Sequence, residues 1–234
     1  MFAVCPTGAV SVLGHKPENS AAPVDCEKGS AVINSLIANR HSCRRYKDEN
    51  VDKAVIDDMI SRLANAPNGG NKQQVEFTLT DDKEQTQIFR SALYKETERL
   101  AAEGIYPKGF DKESYEDMKR WEKTVRPDML LCGAPHLLIL HAPLGQGEPI
   151  RDTVIAGTYF EFLCASRGLG AVMLTFPLDS LENMPHIKAM LKIPENHYIG
   201  MIIGFGYPEI DYARGVQKTV DKSRIHRLKG GKII

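Results

Sequence analysis

A chain of 234 residues with 42% apolar content is long enough to bury a complete core in one domain. Thirty basic residues balance thirty acidic ones, which argues against a broad nucleic-acid or membrane-binding surface, and no apolar run approaches the ~20 residues of a membrane span. No signal peptide is evident, and five widely spaced cysteines without a C-x-x-C pair point to a reducing cytoplasm rather than to disulfides or zinc.

Residues 1–29, with Pro6, Pro17 and Pro23, read as an irregular arm ahead of one domain over 30–234. Ser30 is the predicted N-cap of a buried helix bearing Val32, Ile33, Leu36 and Ile37 and ending near Arg40. Asp52 caps a second helix carrying Val55, Ile56, Met59, Ile60 and Leu63, with Val51 placed to staple against Ile56. That helix stops at Pro67, and Asn68-Gly69-Gly70-Asn71 follows as a loop. Val75, Phe77 and Leu79 alternate with polar residues as in a half-buried strand. A helix is predicted from about Lys83 to Ala102, another from Asp111 onward, and a central strand at Leu137–Leu140. Asp152 opens a helix expected to bury Ile155, Tyr159, Phe162 and Leu163, and Gly168 suits a left-handed C-cap. A strand over 171–174, a helix near Leu181–Leu191, a strand over 198–203 and an aperiodic tail complete the chain. Strands alternating with longer helices give an α/β or α+β class with one mixed sheet.

The densest chemistry lies in Arg40-His41-Ser42-Cys43-Arg44-Arg45, where three guanidiniums, an imidazole and a hydroxyl crowd together. Arginine's planar fork suits phosphate and serine adds a donor, whereas a merely solvated helix end would also favour cations. The amides of Asn68, Asn71 and Gln73 can read a ring edge bearing both carbonyls and N–H groups, or simply make a turn. Gly168-Leu169-Gly170 combines a helix cap with a glycine that the cap does not explain. The tail carries Arg214, Lys218, Lys222, Arg224, Arg227, Lys229 and Lys232 against Asp221 alone. Gly204-Phe205-Gly206 precedes Tyr207-Pro208 and lacks the third glycine of a dinucleotide fingerprint. His136, His141, His186 and His197 are scattered, and no metal site is expected among them.

Taken in order, these pieces resemble the FMN-dependent nitroreductase family across about residues 30–230. Arg40, His41, Ser42 and Arg44 match its Arg-Arg/His-Ser-x-Arg/Lys box. Ala66, Pro67, Asn71 and Gln73 match Ala-Pro-Ser-x-x-Asn-x-Gln, with Asn68 in place of the usual Ser. Gly168–Gly170, Gly206-Tyr207-Pro208 and Lys222-Ser223-Arg224 match the later motifs.

The resemblance implies an α+β fold, a mixed sheet flanked by helices, in an intertwined homodimer with FMN at the subunit interface. Arg40, Ser42, Lys222 and Arg224 would hold the phosphate and ribityl chain, with His41 and Arg44 along the chain and near the pyrimidine edge. Pro67, Asn68, Gly69 and Asn71 would reach the flavin from the other subunit. The backbone at Leu174-Thr175-Phe176, where many relatives carry Gly or Glu, would point an N–H at the flavin N5. No catalytic side chain is required, since the cofactor carries the chemistry. The implied activity is reduction of nitroaromatics, quinones or similar planar acceptors with electrons from NAD(P)H or ferredoxin. The alternatives are a flavin-binding protein without turnover and a domain whose basic tail binds acidic partners. Cys5-Pro6 looks like the end of a bacterial ferredoxin cluster motif, which makes the arm over 1–29 resemble the remnant of a ferredoxin-like segment and keeps ferredoxin beside NAD(P)H as donor. The aromatic segment Tyr106–Trp121 is a candidate lid or a helix packed on the partner, Arg40→Ala should weaken flavin binding well before it disturbs the fold, and the sequence assigns no role to Cys43.

Overall fold

The computed structural model of the chain describes residue 11, residues 16–21 and residues 24–228. The Cys5-Pro6 motif lies outside the described residues. Two compact units divide the chain, Met1–Ala38 and Asn39–Ile234. The first carries a 3-10 turn at Pro17–Asn19 and all but the last residue of helix α1 (Cys26–Asn39). α1 begins four residues before Ser30 because the Asp25 carboxylate accepts from the amides of Glu27 and Lys28, both at 3.0 Å. A carboxylate on the first-turn amides supplies the cap, and the serine falls inside the helix. No residue of α1 is buried, and Val32, Ile33 and Ile37 are at least half exposed, so the expected buried face is uncovered.

The second unit runs α2 (Lys53–Arg62), β1 (Glu76–Leu79), α3 (Lys83–Ala102), α4 (Lys112–Thr124), β2 (His136–Pro143) and α5 (Pro149–Ser166). It continues with β3 (Gly170–Met173), α6 (Thr175–Ser180), α7 (Pro185–Met190) and β4 (His197–Gly206). The strands order as β1-β2-β4-β3 with every adjacent pair antiparallel. The only parallel element among the described residues is an isolated bridge between Ser42 and Ala171.

Alternation along the strands splits the core in two. Leu137, Ile139, Val172 and Ile202 face a cluster containing Phe89, Leu93 and Leu100 of α3, Met118 of α4 and Ile187 of α7. Leu138, Leu140, Ala171, Met201, Ile203 and Phe205 face Ile56 and Met59 of α2 and Ala156, Phe160 and Cys164 of α5. Val51 and Ile56 share this second cluster, as the staple requires. Helices therefore cover both faces of the sheet, and none of those described is long and apolar enough to cross a membrane.

α5 buries a face other than the expected one. Asp152, Thr153, Ala156, Gly157, Phe160, Glu161 and Cys164 are buried, whereas Tyr159 is 42% exposed and Ile155, Phe162 and Leu163 are half-buried. The helix is apolar nearly all round, so periodicity alone left its orientation open. Close packing decided it: a Cβ at Gly157 would stand 2.3 Å from Met201 Sδ, so the helix lies against β4 along its small residues. The predicted helix near Leu181–Leu191 is broken into a 3-10 turn at Leu181–Asn183 and α7, and a short helix that was not predicted, α6, precedes it. Pro185 pushes Met184 out of helical conformation (φ −129°, ψ 63°) and restarts the chain as α7.

Candidate active site

The basic box leaves α1 as extended chain and is pinned to the sheet edge. Ser42 bridges Ala171 of β3, and Cys43 donates its amide to Ala171 O at 2.9 Å. The Tyr46 hydroxyl lies 2.9 Å from Cys43 O and 3.2 Å from Gly204 O, while Tyr46 bridges Pro208 and the Lys47 amide reaches Tyr207 O. Gly206-Tyr207-Pro208 is thus the seat of the box. Gly170 also has its reason. A Cβ there would stand 2.5 Å from Cys43 Cβ and 2.6 Å from its Sγ, so the glycine admits the box against β3. Cys43 is buried, its thiol donates to Arg45 O, and burial raises its pKa. That makes it a packing residue, with no reactive thiolate.

Around this segment lies a cavity of about 190 Å³ lined by Ser42, Arg44, Arg45, Val125, Arg126 and Tyr212, among others. Three guanidiniums and no carboxylate line it, so the cavity favours an anion. Two buried nitrogens near it, His41 Nε2 and Arg126 Nε, have no hydrogen-bond partner among the described residues. The His41 ring lies 4.1 Å from that of Tyr212, and Arg45 Nη2 donates to Val125 O at 3.1 Å. Arg40 pairs through Nη1 with Glu161 of α5, whose carboxylate is buried. One arm of its fork is thereby held, and the remaining N–H groups stay available.

The amide loop is built at the other end of α5. Asp152 Oδ1 accepts from the Gly69 amide at 2.9 Å, and its Oδ2 from Glu148 N at 3.2 Å. Asn68 Oδ1 accepts from Gln73 N at 2.9 Å and its Nδ2 donates to Ala66 O, so this side chain is engaged within the loop itself. Gly70, Asn71 and Gln73 take left-handed φ values of 60°, 52° and 51°, interrupted by right-handed Lys72, and the Asn71 side chain is exposed. Pro67, Asn68 and Gln73 line a second cavity of about 330 Å³ with Asp152 and Ala156.

Within one chain the two halves do not meet. Asp152 and Glu161 are nine residues apart on α5, a rise of about 13.5 Å and a rotation of roughly 180° at ~100° per residue. The loop and the box therefore sit at opposite edges of the buried arc of one helix.

Leu174 caps α6 with extended backbone and sends its amide to Ile202 O at 2.8 Å. The amides of Thr175 and Phe176 open this helix, where first-turn N–H groups lack intrahelical acceptors. Phe110 packs edge-on against Phe176, with ring centroids 4.7 Å apart. The segment Tyr106–Trp121 folds back on its own chain: Tyr115 and Met118 join the first core cluster, and Lys119 reaches Glu98 of α3 at 2.7 Å. Lys222–Arg224 form one 3-10 turn capped by Asp221. No hydrogen bond or ion pair joins Lys222 or Arg224 to the box among the described residues.

Sequence reading missed Arg126, Asp152 and Glu161 as site residues. Arg126 ends the polar insertion, where it looked like one more surface cation. An Asp and a Glu inside an otherwise apolar helix were the available signal for the other two. His141 and His197, read as scattered, come together at 2.9 Å across β2 and β4.

The model of the nitroreductase family matches residues 37–207, well over half of the chain. A protein of Archaeoglobus fulgidus, provisionally named NADH dehydrogenase/NAD(P)H nitroreductase, is 23% identical over 197 residues, covering 83% of this chain and 96% of that protein. Iodotyrosine deiodinase of Danio rerio is 24% identical over 184 residues, which span 76% of this chain and 60% of the deiodinase. Among solved structures, a nitroreductase with bound FMN from Bacteroides fragilis superposes with a TM-score of 0.65 at 20% identity, covering 85% of this chain and 98% of the other. An iodotyrosine deiodinase bound to FMN and 3-iodo-L-tyrosine superposes with a TM-score of 0.61 at 19% identity, covering 86% and 100%. From the box seated on Gly206-Tyr207-Pro208 to the family model spanning both halves of the site, these findings agree: the chain belongs to the nitroreductase family.

Proposed function

We propose that this chain is an FMN-dependent oxidoreductase, active as a homodimer. Its electrons come from NAD(P)H or a ferredoxin and pass to a planar acceptor such as a nitroaromatic or a quinone. The observation that carries the reading is the cavity at the box, with Arg44, Arg45 and Arg126 on its walls, no carboxylate, and unpartnered nitrogens at His41 and Arg126. Those donors suit a phosphate monoester.

When bound, FMN supplies two-electron redox chemistry at its N5. The chain's own residues bind and orient. Arg40, Ser42 and Arg44, with His41 beside them, hold the phosphate and ribityl chain, and Glu161 fixes the direction of Arg40. Lys222 and Arg224 close on the phosphate when the tail docks. The Thr175 amide, at the start of α6, would serve as a preorganised donor to the flavin N5. Pro67, Asn68, Gly69 and Asn71 reach the same cofactor from the partner subunit, with Asp152 holding their loop. Separation of the two half-sites along α5 supports the dimer, as do the exposed Val154 and Tyr159 on its outer face. The Tyr106–Trp121 segment acts as a lid, supported by the Phe110–Phe176 contact. A cytoplasmic location is supported by the free thiols of the cysteines among the described residues, Cys26, Cys43, Cys132 and Cys164.

An absorption spectrum of the purified protein tests the reading, taken before and after NADH, NADPH or reduced ferredoxin. Flavin bands that bleach with one donor and return with a quinone support it; a colourless protein that takes up no added FMN overturns it. The likeness to iodotyrosine deiodinase adds halogenated phenols as a second acceptor class to assay.

A further inference from the structure

At the end of the sheet where β1 begins, β2 finishes and β4 begins, three potential metal ligands converge. Glu76 opens β1 and stands opposite His141 in the register, while His197 opens β4. The β2–β4 pairing jumps from Leu140↔Met201 to His141↔Ile199, leaving Gly200 as the extra residue of a bulge. Bulges re-aim side chains, and here the His141 ring meets that of His197, Nδ1 to Nδ1, at 2.9 Å. Both histidines are buried, at 3% and 8% exposure, while Glu76 faces solvent, and ligand atoms of all three lie within 4.8 Å of one another.

The tautomer of His141 can be read from its surroundings. Thr78 Oγ1 lies 3.5 Å from Leu191 O, to which it donates, and 3.2 Å from His141 Nε2, from which it accepts. That pattern suits a His141 with its hydrogen on Nε2, its Nδ1 then accepting from His197. A ring N–H held by a neighbouring polar group is the arrangement that orients metal-bound imidazoles, and a cation seated between the rings would displace the hydrogen that the two Nδ1 atoms now share.

We propose that Glu76, His141 and His197 form a site for a divalent transition cation of the zinc class, with water in the fourth position, which ties β1 to β4 across β2. Imidazole nitrogen with one carboxylate oxygen selects zinc-like ions over magnesium or calcium. Two nitrogens at about 2.05 Å from a tetrahedral zinc stand about 3.3 Å apart. The observed pair needs only to open by a few tenths of an ångström, and Glu76, on the solvent side, can swing to close the site. The carboxylate leaves one net positive charge, which solvent at the open position screens. The site is independent of the flavin reading, since none of its residues belongs to the box, the amide loop or the tail.

The test uses full-length, untagged, flavin-loaded protein, stripped with a chelator and dialysed against micromolar zinc. Metal analysis should find one zinc per chain, and the melting temperature should rise with free zinc, as for any ligand that binds only the folded state. Cobalt in its place should give the intense visible bands of a four-coordinate ion. Glu76→Gln, at an exposed position, should weaken zinc binding at least tenfold, and Thr78→Val, one shell out, by about 10- to 100-fold. His197→Asn should abolish binding. No retained zinc in the wild type overturns the proposal, as does zinc retained unchanged in Glu76→Gln, which would place the ion elsewhere.

Discussion

Replacing Arg40 by Ala removes a guanidinium that the flavin reading assigns to the phosphate and also strips Glu161 of its ion-pair partner. Glu161 is 6% exposed, so its carboxylate cannot recover full hydration. Breaking a buried pair from one side costs about 3–5 kcal/mol. Arg40 is one-third exposed, and solvent screening on that side puts the loss near the lower end, about 3 kcal/mol. For a chain of this size the midpoint should fall by roughly 6–12 °C. This reverses the expectation from sequence that flavin binding suffers well before the fold. Adding Glu161→Gln removes the stranded charge and should return most of the stability. It should not return the flavin: one charge-assisted bond to a phosphate is worth about 1.5–3 kcal/mol, roughly 10- to 100-fold in Kd. Thermal unfolding of flavin-free protein at fixed concentration and an FMN titration by fluorescence separate the two effects. An unchanged melting temperature in Arg40→Ala would refute the buried pair. Normal FMN affinity in the double variant would refute a role for Arg40 at the phosphate.

Gly170→Ala forces a Cβ against Cys43 at 2.5 Å and should cost about 1–3 kcal/mol while displacing the box. FMN affinity should fall further than in Cys43→Ala, and equal affinities would sink the packing account. Asp152→Ala leaves the Gly69 and Glu148 amides without their acceptor, so hydrogen exchange over residues 69–73 should accelerate and FMN binding weaken; unaltered exchange would show that the loop holds itself. Removing residues 214–234 should abolish FMN binding and weaken the dimer, read by light scattering; a truncated dimer that keeps its flavin would eliminate the tail from the site. His136 accepts from Val51 N and faces Thr80 O, both at 3.0 Å, so only the neutral ring fits, and burial lowers its pKa below the ordinary 6.5. The unfolded chain then binds the extra proton, so this contribution is complete above about pH 6.5 and is lost as pH falls. His136→Gln should show a shallower acid slope in melting temperature, and a parallel slope would contradict the assignment.

Much of the fold was legible because its signals are local. Asp52 caps α2 and Gly168 takes φ +70°, each where turn and cap chemistry placed it, and Asp82 and Asp111 accept from the first-turn amides of helices expected near those positions. The central strand followed from an unbroken run at Leu137–Leu140. α1 and α5 were misjudged for a shared reason: each has apolar residues that this chain leaves exposed. A hydrophobic pattern says that a face is to be covered, but it does not say by what.

For the candidate site, sequence order alone carried the family, because the box, the amide loop, Gly206-Tyr207-Pro208 and the tail motif recur at characteristic spacing. It also identified the residue types able to hold a phosphate. Only the tertiary structure decided that Glu161 holds Arg40, that Cys43 packs into the space left by Gly170, and that Arg126 joins the basic cavity. It alone set the loop and the box at opposite edges of α5 and brought His141 to His197. Caps and strands are fixed by neighbours a few residues apart, which the chain displays in order. Burial partners and charge neighbours come from segments far apart in the chain, from 56 residues for His141 and His197 to 121 for Arg40 and Glu161, and they exist only once the sheet has closed around its two cores.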